Sequence, residues 1–255
     1  MTLGLPLSTM YAFLLVLARV AGVIAFLPVP GIRDAASPVR VVLALSVTFA
    51  LFPAWPSLPN ELASLPQLAA WAFLEAGFGL AAGLAVAFLV EAFQMAMQFL
   101  GLQVGYSYAL TIDPTSQADA GVLQVMTSLM TSLLFFSLGI DRQLLRLLAA
   151  SFQRFPAGTW APSAADVDGI VRLGGGMFTF GFRLAMPVIG LMVLIDVALA
   201  LLGRMQQQLQ LLSLAFPVKM LAALAMMIVL SPAVARLFET DSAQTMGALW
   251  QSLGR

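Results

Sequence analysis

Six ionisable side chains lie inside stretches that are otherwise apolar: Arg19, Arg183 and Lys219, and Glu75, Glu91 and Asp196. In oil a charge has two uses. It carries a proton or an ion along a path, or it is neutralised by a structural partner or by snorkelling from a helix end, and pairing is the commoner of the two. At the centre of a lipid-facing helix each would cost about 2.5 to 3.5 kcal/mol, so the six do not all face lipid. Arg183 and Asp196 are 13 positions apart, roughly 220° around a 3.6-residue helix, and so do not neutralise one another along their own helix. Glu75 and Glu91 are similarly split. Each therefore needs a mate on another helix, another subunit, or water.

Other chemistries drop out by residue type. There is no cysteine and no histidine, which removes thiolate catalysis, sulfur-ligated metal, the commonest metal ligand and the one side chain that titrates near neutrality unperturbed. No phosphate-binding loop and no nucleophile beside a base is present, so neither an enzyme nor a resident cofactor is expected. An intramembrane hydrolase would want a Ser or Asp pair on facing helices, whereas Asp113 and Asp119 share one loop.

The 255 residues are 61% hydrophobic and 9% charged, with a mean hydropathy of +0.96. That composition is a membrane protein's. Twelve Lys and Arg balance twelve Asp and Glu, so no net field gathers nucleic acid.

Apolar runs near the roughly 20 residues that cross a hydrocarbon core occur at 7–27, 39–55, 68–103, 121–138, 170–203 and 209–231. The expectation is an all-α, membrane-associated protein of about six long apolar helices. Prolines punctuate the gaps: Pro28, Pro30 and Pro38, then Pro53, Pro56, Pro59 and Pro66, then Pro114, Pro156 and Pro162. Arg19 inside the first run argues for a retained helix over a signal peptide. The third run, about 54 Å long as one helix, must bend back, tilt or leave the membrane. Arg33 and Arg40 follow the first run while Arg142, Arg146 and Arg154 follow the fourth, which places them on opposite sides of a six-span bundle and leaves orientation open. The segment FPAGTWAPSAADVDGI, about 155 to 170, is the best boundary, giving parts 1–165 and 166–255.

Gly79-x-x-x-Gly83 and Gly101-x-x-x-Gly105 have the spacing that lets helices approach closely, either within the chain or between subunits. Pro187 and Pro217 each free a backbone carbonyl and should bend their helices.

The stretches FLPVPGIRDAASPVRVVLAL (26–45), GLQVGYSYALTIDP (101–114) and SFQRFP (151–156) resemble the FliR family of type III export gates, found in bacterial flagella and, as close relatives, in injectisomes. GRMQQQLQLLSLAFPVK (203–219) resembles the family's C-terminal motif, Arg-x-x-Pro-Gln-x-Asn followed by Gly-Phe-Pro. Arg204, Gln208, Phe216 and Pro217 match it, while Gln207, Gln210 and Ala215 replace the proline, asparagine and glycine. Losing that proline should make the last interhelical connection more regular.

The resemblance implies a FliP-like part (1–165) fused to a FliQ-like hairpin (166–255), in a cone of hairpins raised from the bilayer plane around a protein-conducting pore. It implies FliP-like, FliQ-like and FlhB-like partner subunits, unfolded exported proteins as cargo, energy from a proton gradient and a partner ATPase, and a place in the bacterial inner membrane at the base of the flagellum. GYSYALTIDPTSQADA (105–120) resembles the segment that plugs the closed pore. Gly105 and Pro114 break the helix, Tyr106, Tyr108, Leu110 and Ile112 give bulk, and Asp113 and Asp119 keep it wet. An ordinary interhelical connection is the other reading of that loop. A different function class also stays open: a proton-coupled transporter of a small molecule, with Asp196 or Glu91 taking up the proton. A transporter should work alone, whereas a gate subunit is expected to be unstable without partners, its charged and small-residue faces lacking mates.

Overall fold

The computed structural model describes residues 6–27, 37–56, 64–104, 122–205 and 211–252, and the regular elements among them are all helical. They are α1 (Leu7–Phe26), α2 (Ser37–Ala50), a 3-10 turn (Phe52–Ala54), α3 (Leu65–Val104), α4 (Val122–Ser137), α5 (Ile140–Arg154), α6 (Ala164–Met205) and α7 (Leu211–Ser252). The expected all-α fold is present. Among the described residues four helices are long and apolar enough to cross a membrane: α1, α3, α6 from Asp166 to Met205 and α7 from Pro217 to Thr245. The runs at 39–55 and 121–138 give only α2 and α4, 14 and 16 residues long. Pro53 helps to stop the former, at the start of a 3-10 turn.

The third run stays one continuous helix of 40 residues, about 60 Å at 1.5 Å per residue. A helix of that length tilts strongly or projects beyond the hydrocarbon. α6 runs on through Pro187, and α7 through Pro217 and Pro232. Ser163 starts α6 with a reciprocal cap. Its backbone N–H and its hydroxyl both donate to Asp166 Oδ2, at 2.8 and 2.6 Å, while the Asp166 N–H donates back to Ser163 Oγ at 3.2 Å.

The chain condenses into two compact units, one from Met1–Leu89, Phe135–Gly174 and Ser242–Arg255, the other from Val90–Leu134 and Gly175–Asp241. Each unit draws on both sides of the 165/166 boundary, which itself falls in the first turn of α6. The core of the first unit is built by Leu15, Val16 and Val20 of α1, Phe78, Ala82 and Val86 of α3, and Leu144, Leu147 and Leu148 of α5. In the second unit Phe93 meets Phe238 edge to face at 6.2 Å and Phe99 stacks on Phe182 at 5.0 Å.

α1 and α3 cross backbone to backbone. A Cβ on Gly79 would collide with the Arg19 carbonyl oxygen, one on Gly22 with that of Ala76, and one on Gly83 with that of Val23. The Gly79-x-x-x-Gly83 spacing thus serves a contact within the chain, which settles the choice that spacing alone left open. Gly79→Val is expected to lower stability by about 1–3 kcal/mol through overpacking, seen as a lower thermal midpoint of the detergent-purified protein. Gly175→Ala, where nothing stands within 4 Å, is expected to raise it, since alanine suits a helix interior better.

Candidate functional site

The crossing of α1 and α3 brings Arg19 against Glu75, and neither side chain has exposed surface. Arg19 Nε donates to Glu75 Oε2 at 2.5 Å, one terminal nitrogen donates to Ser151 Oγ at 2.8 Å, and the other to the Phe155 carbonyl at 3.3 Å. The Gly158 N–H donates to the remaining carboxylate oxygen of Glu75 at 2.8 Å. The guanidinium carbon lies 4.5 Å from the Phe78 ring centre and 4.3 Å from that of Phe152. A buried guanidinium is thereby paired, hydrogen-bonded and in cation–π contact with two aromatic rings. One side chain ties α1 to α3, to α5 and to the loop after α5.

That loop is shaped to fit. Gly158 has φ +80, in the left-handed region, and a Cβ there would strike the Trp71 ring. Phe78 meets Trp160 edge to face at 5.5 Å. With both carboxylate oxygens and all three guanidinium nitrogens engaged, the arrangement is suited to holding helices together.

A second cluster sits in the other unit. Lys219 of α7 pairs with Asp196 Oδ1 of α6, and Gln103 Nε2, on the last turn of α3, donates to Asp196 Oδ2 at a long 3.5 Å. The pair is half-open to solvent. Arg183 of α6 is exposed and near enough to Asp241 of α7 for their charges to interact. Glu91 is half-buried and partnered within the chain.

Arg19, Glu75, Asp196 and Lys219 therefore have their mates on other helices of the same chain, as does Gly79-x-x-x-Gly83. The expectation that charged and small-residue faces lack mates without partner subunits is corrected to that extent. The physical reason is reach: residues far apart in sequence become neighbours once long helices lie side by side. Asp196, one of the two proton-taking candidates of the transporter reading, is tied up by an ammonium.

The loop residues Gly105, Tyr106, Tyr108, Leu110, Ile112, Asp113 and Pro114 lie outside the described residues, as does Gln208. Arg204 is exposed at the end of α6, Pro217 is exposed within α7, and Phe216 is described only as a helical position. Sequence reasoning missed Ser151, Gly158, Gln103 and Asp241. Of these, Ser151 and Gln103 lie in stretches quoted for the family resemblance, and Gly158 is a glycine in a proline-flanked loop. Among the described residues no three His, Cys, Asp or Glu are grouped to hold a metal ion.

Removing one member of the Arg19–Glu75 pair strands a buried charge. Glu75→Ala is expected to cost about 3–5 kcal/mol, and the volume-filling double replacement Arg19→Met with Glu75→Leu to recover most of it, both read from unfolding of the purified protein.

Comparison with known proteins gives a consistent result. The family described as "Bacterial export proteins, family 1" matches residues 10–245. The chain is 30% identical to "Flagellar biosynthetic protein FliR" of Escherichia coli (strain K12) over 86% of its own length and 84% of that protein's. It is 28% identical to the Bacillus subtilis (strain 168) protein of the same name, over 86% and 85%, and 26% identical to that of Pectobacterium carotovorum, over 85% and 82%.

Proposed function

Because the chain belongs to the FliR family, the bacterial export proteins of family 1, we propose that it is a structural and gating subunit of the type III protein export gate used in flagellar biosynthesis. In this reading it joins FliP-like, FliQ-like and FlhB-like subunits in the bacterial inner membrane, at the base of the flagellum. Together they form a pore for unfolded export substrates, and the chain does no covalent chemistry itself. The observation that carries the proposal is family membership over nearly the whole chain, 10–245.

The distribution of apolar surface supports the assembly. In α3 56% of the most apolar window is buried within the chain, against 22% in α6 and 6% in α7. α6 and α7 expose Met186, Leu194, Leu201, Leu221, Ile228 and Val229, among others. Two long helices joined by a short link, with apolar flanks this bare, need lipid or other subunits to cover them. A FliQ-like role for 166–255 fits that need. The fusion with a FliP-like part concerns order along the chain and does not require compact units to follow it.

Within the gate, residues 105–120 act as the plug, following directly on the C-terminal end of α3. Replacing 106–112 with Gly and Ser is expected to leave assembly intact and to raise leakage of small solutes through the assembled gate in vesicles. Unchanged leakage defeats the plug assignment. Co-purification of the chain with FliP-like and FliQ-like subunits in mild detergent, followed by mass spectrometry of the intact complex, tests the assembly. Recovery of the chain alone, with metabolite transport in liposomes, overturns it in favour of a transporter.

A further inference from the structure

α5 is not one of the apolar runs, yet it has the strongest two-sided character among the described helices. Ile140, Leu144, Leu147, Leu148, Ser151 and Phe152 point into the first unit and are buried, while Arg142, Gln143, Arg146 and Gln153 are exposed. The helix cannot roll. Arg19 holds Ser151 by a hydrogen bond and lies over the Phe152 ring, so the arginine face is fixed outward. Arg142 and Arg146 are one turn apart, where like charges repel, and among the described residues neither has an acidic partner. Asp141 does not serve. It projects about 100° from Arg142 and about 140° from Arg146 around the helix, and its buried Oδ1 accepts no hydrogen bond. Arg154, on the last turn, is engaged within the chain.

Exposed apolar side chains flank this face. Leu145, between the two arginines in sequence, is 42% exposed, and Phe136, at the end of α4 just before the turn through Gly139, is 52% exposed. Outward guanidiniums beside outward apolar groups, within a turn or two of an apolar helix, match the boundary between phosphate headgroups and acyl chains.

We propose that the outer face of α5, through Arg142 and Arg146, binds the headgroups of anionic phospholipid and sets the depth of the first unit at the membrane surface. The proposal rests on the chain being a membrane protein and is independent of the pore and plug. Guanidiniums bind phosphate by paired hydrogen bonds, and a negative surface strengthens attachment about fivefold for each such charge near it.

The test uses the full chain purified in mild non-ionic detergent and titrated with phosphatidylglycerol or phosphatidylcholine, bound lipid being counted by native mass spectrometry. Wild type is expected to favour phosphatidylglycerol. Arg142→Gln with Arg146→Gln is expected to lose that preference for phosphatidylglycerol over phosphatidylcholine with an unchanged thermal midpoint, and Arg142→Lys with Arg146→Lys to keep most of it. Arg172→Gln, at an exposed arginine already paired with Asp168, should change nothing. Equal phosphatidylglycerol binding by wild type and the glutamine variant overturns the proposal. So does intact lipid binding together with lost co-purification of partner subunits, which would assign the face to an acidic protein surface.

Discussion

A guanidinium with no access to water must be neutralised where it stands, and Arg19 is neutralised by Glu75. The remaining architecture of the first unit follows. To bring Glu75 within reach, α1 and α3 must touch backbone to backbone, which only Gly22, Gly79 and Gly83 permit. To satisfy the spare donors of Arg19, α5 must present Ser151 and the chain beyond it the Phe155 carbonyl. To satisfy the spare oxygen of Glu75, the backbone must turn through Gly158 in the left-handed region. Packing and electrostatics are thus one constraint here: a wider helix crossing would break the ion pair, and loss of the ion pair would leave the close crossing with a stranded charge inside it.

The second unit is organised on other terms. Its charges, Lys219 with Asp196 and Arg183 near Asp241, are only partly withdrawn from solvent, and its long helices leave most of their apolar flanks uncovered. The first unit also exposes apolar side chains around its buried ion pair, among them Val42, Phe49, Phe52 and Phe73, so both units present surface that lipid or other subunits must cover.

Much of this was legible in the residues. Long apolar runs foretold the long helices, prolines marked their ends, and the Gly79-x-x-x-Gly83 spacing announced a close contact without saying with what. Glu75 and Arg19 stood out as charges in oil, yet their pairing joins positions 56 apart, and no local period encodes such a distance. α5 escaped because an average over a window the width of a membrane dilutes its leucines with its arginines. A search for 3.6-residue periodicity over 140–154 would have found it. The helix count differed for a related reason: an apolar run measures composition, while α2 ends where Pro53 stops it, short of a crossing.

One further property follows from where the indole rings fall. Trp55, Trp71 and Trp160 belong to the first unit, and no tryptophan falls in the sequence of the second. Trp160 is buried against Phe78, and Trp71 abuts Gly158. Intrinsic fluorescence of the chain is therefore a local gauge: its emission follows the frame around Arg19 and is blind to rearrangements confined to the tryptophan-free half. An optical melting curve and a whole-molecule calorimetric one need not coincide, and any gap between them measures how independently that half comes apart.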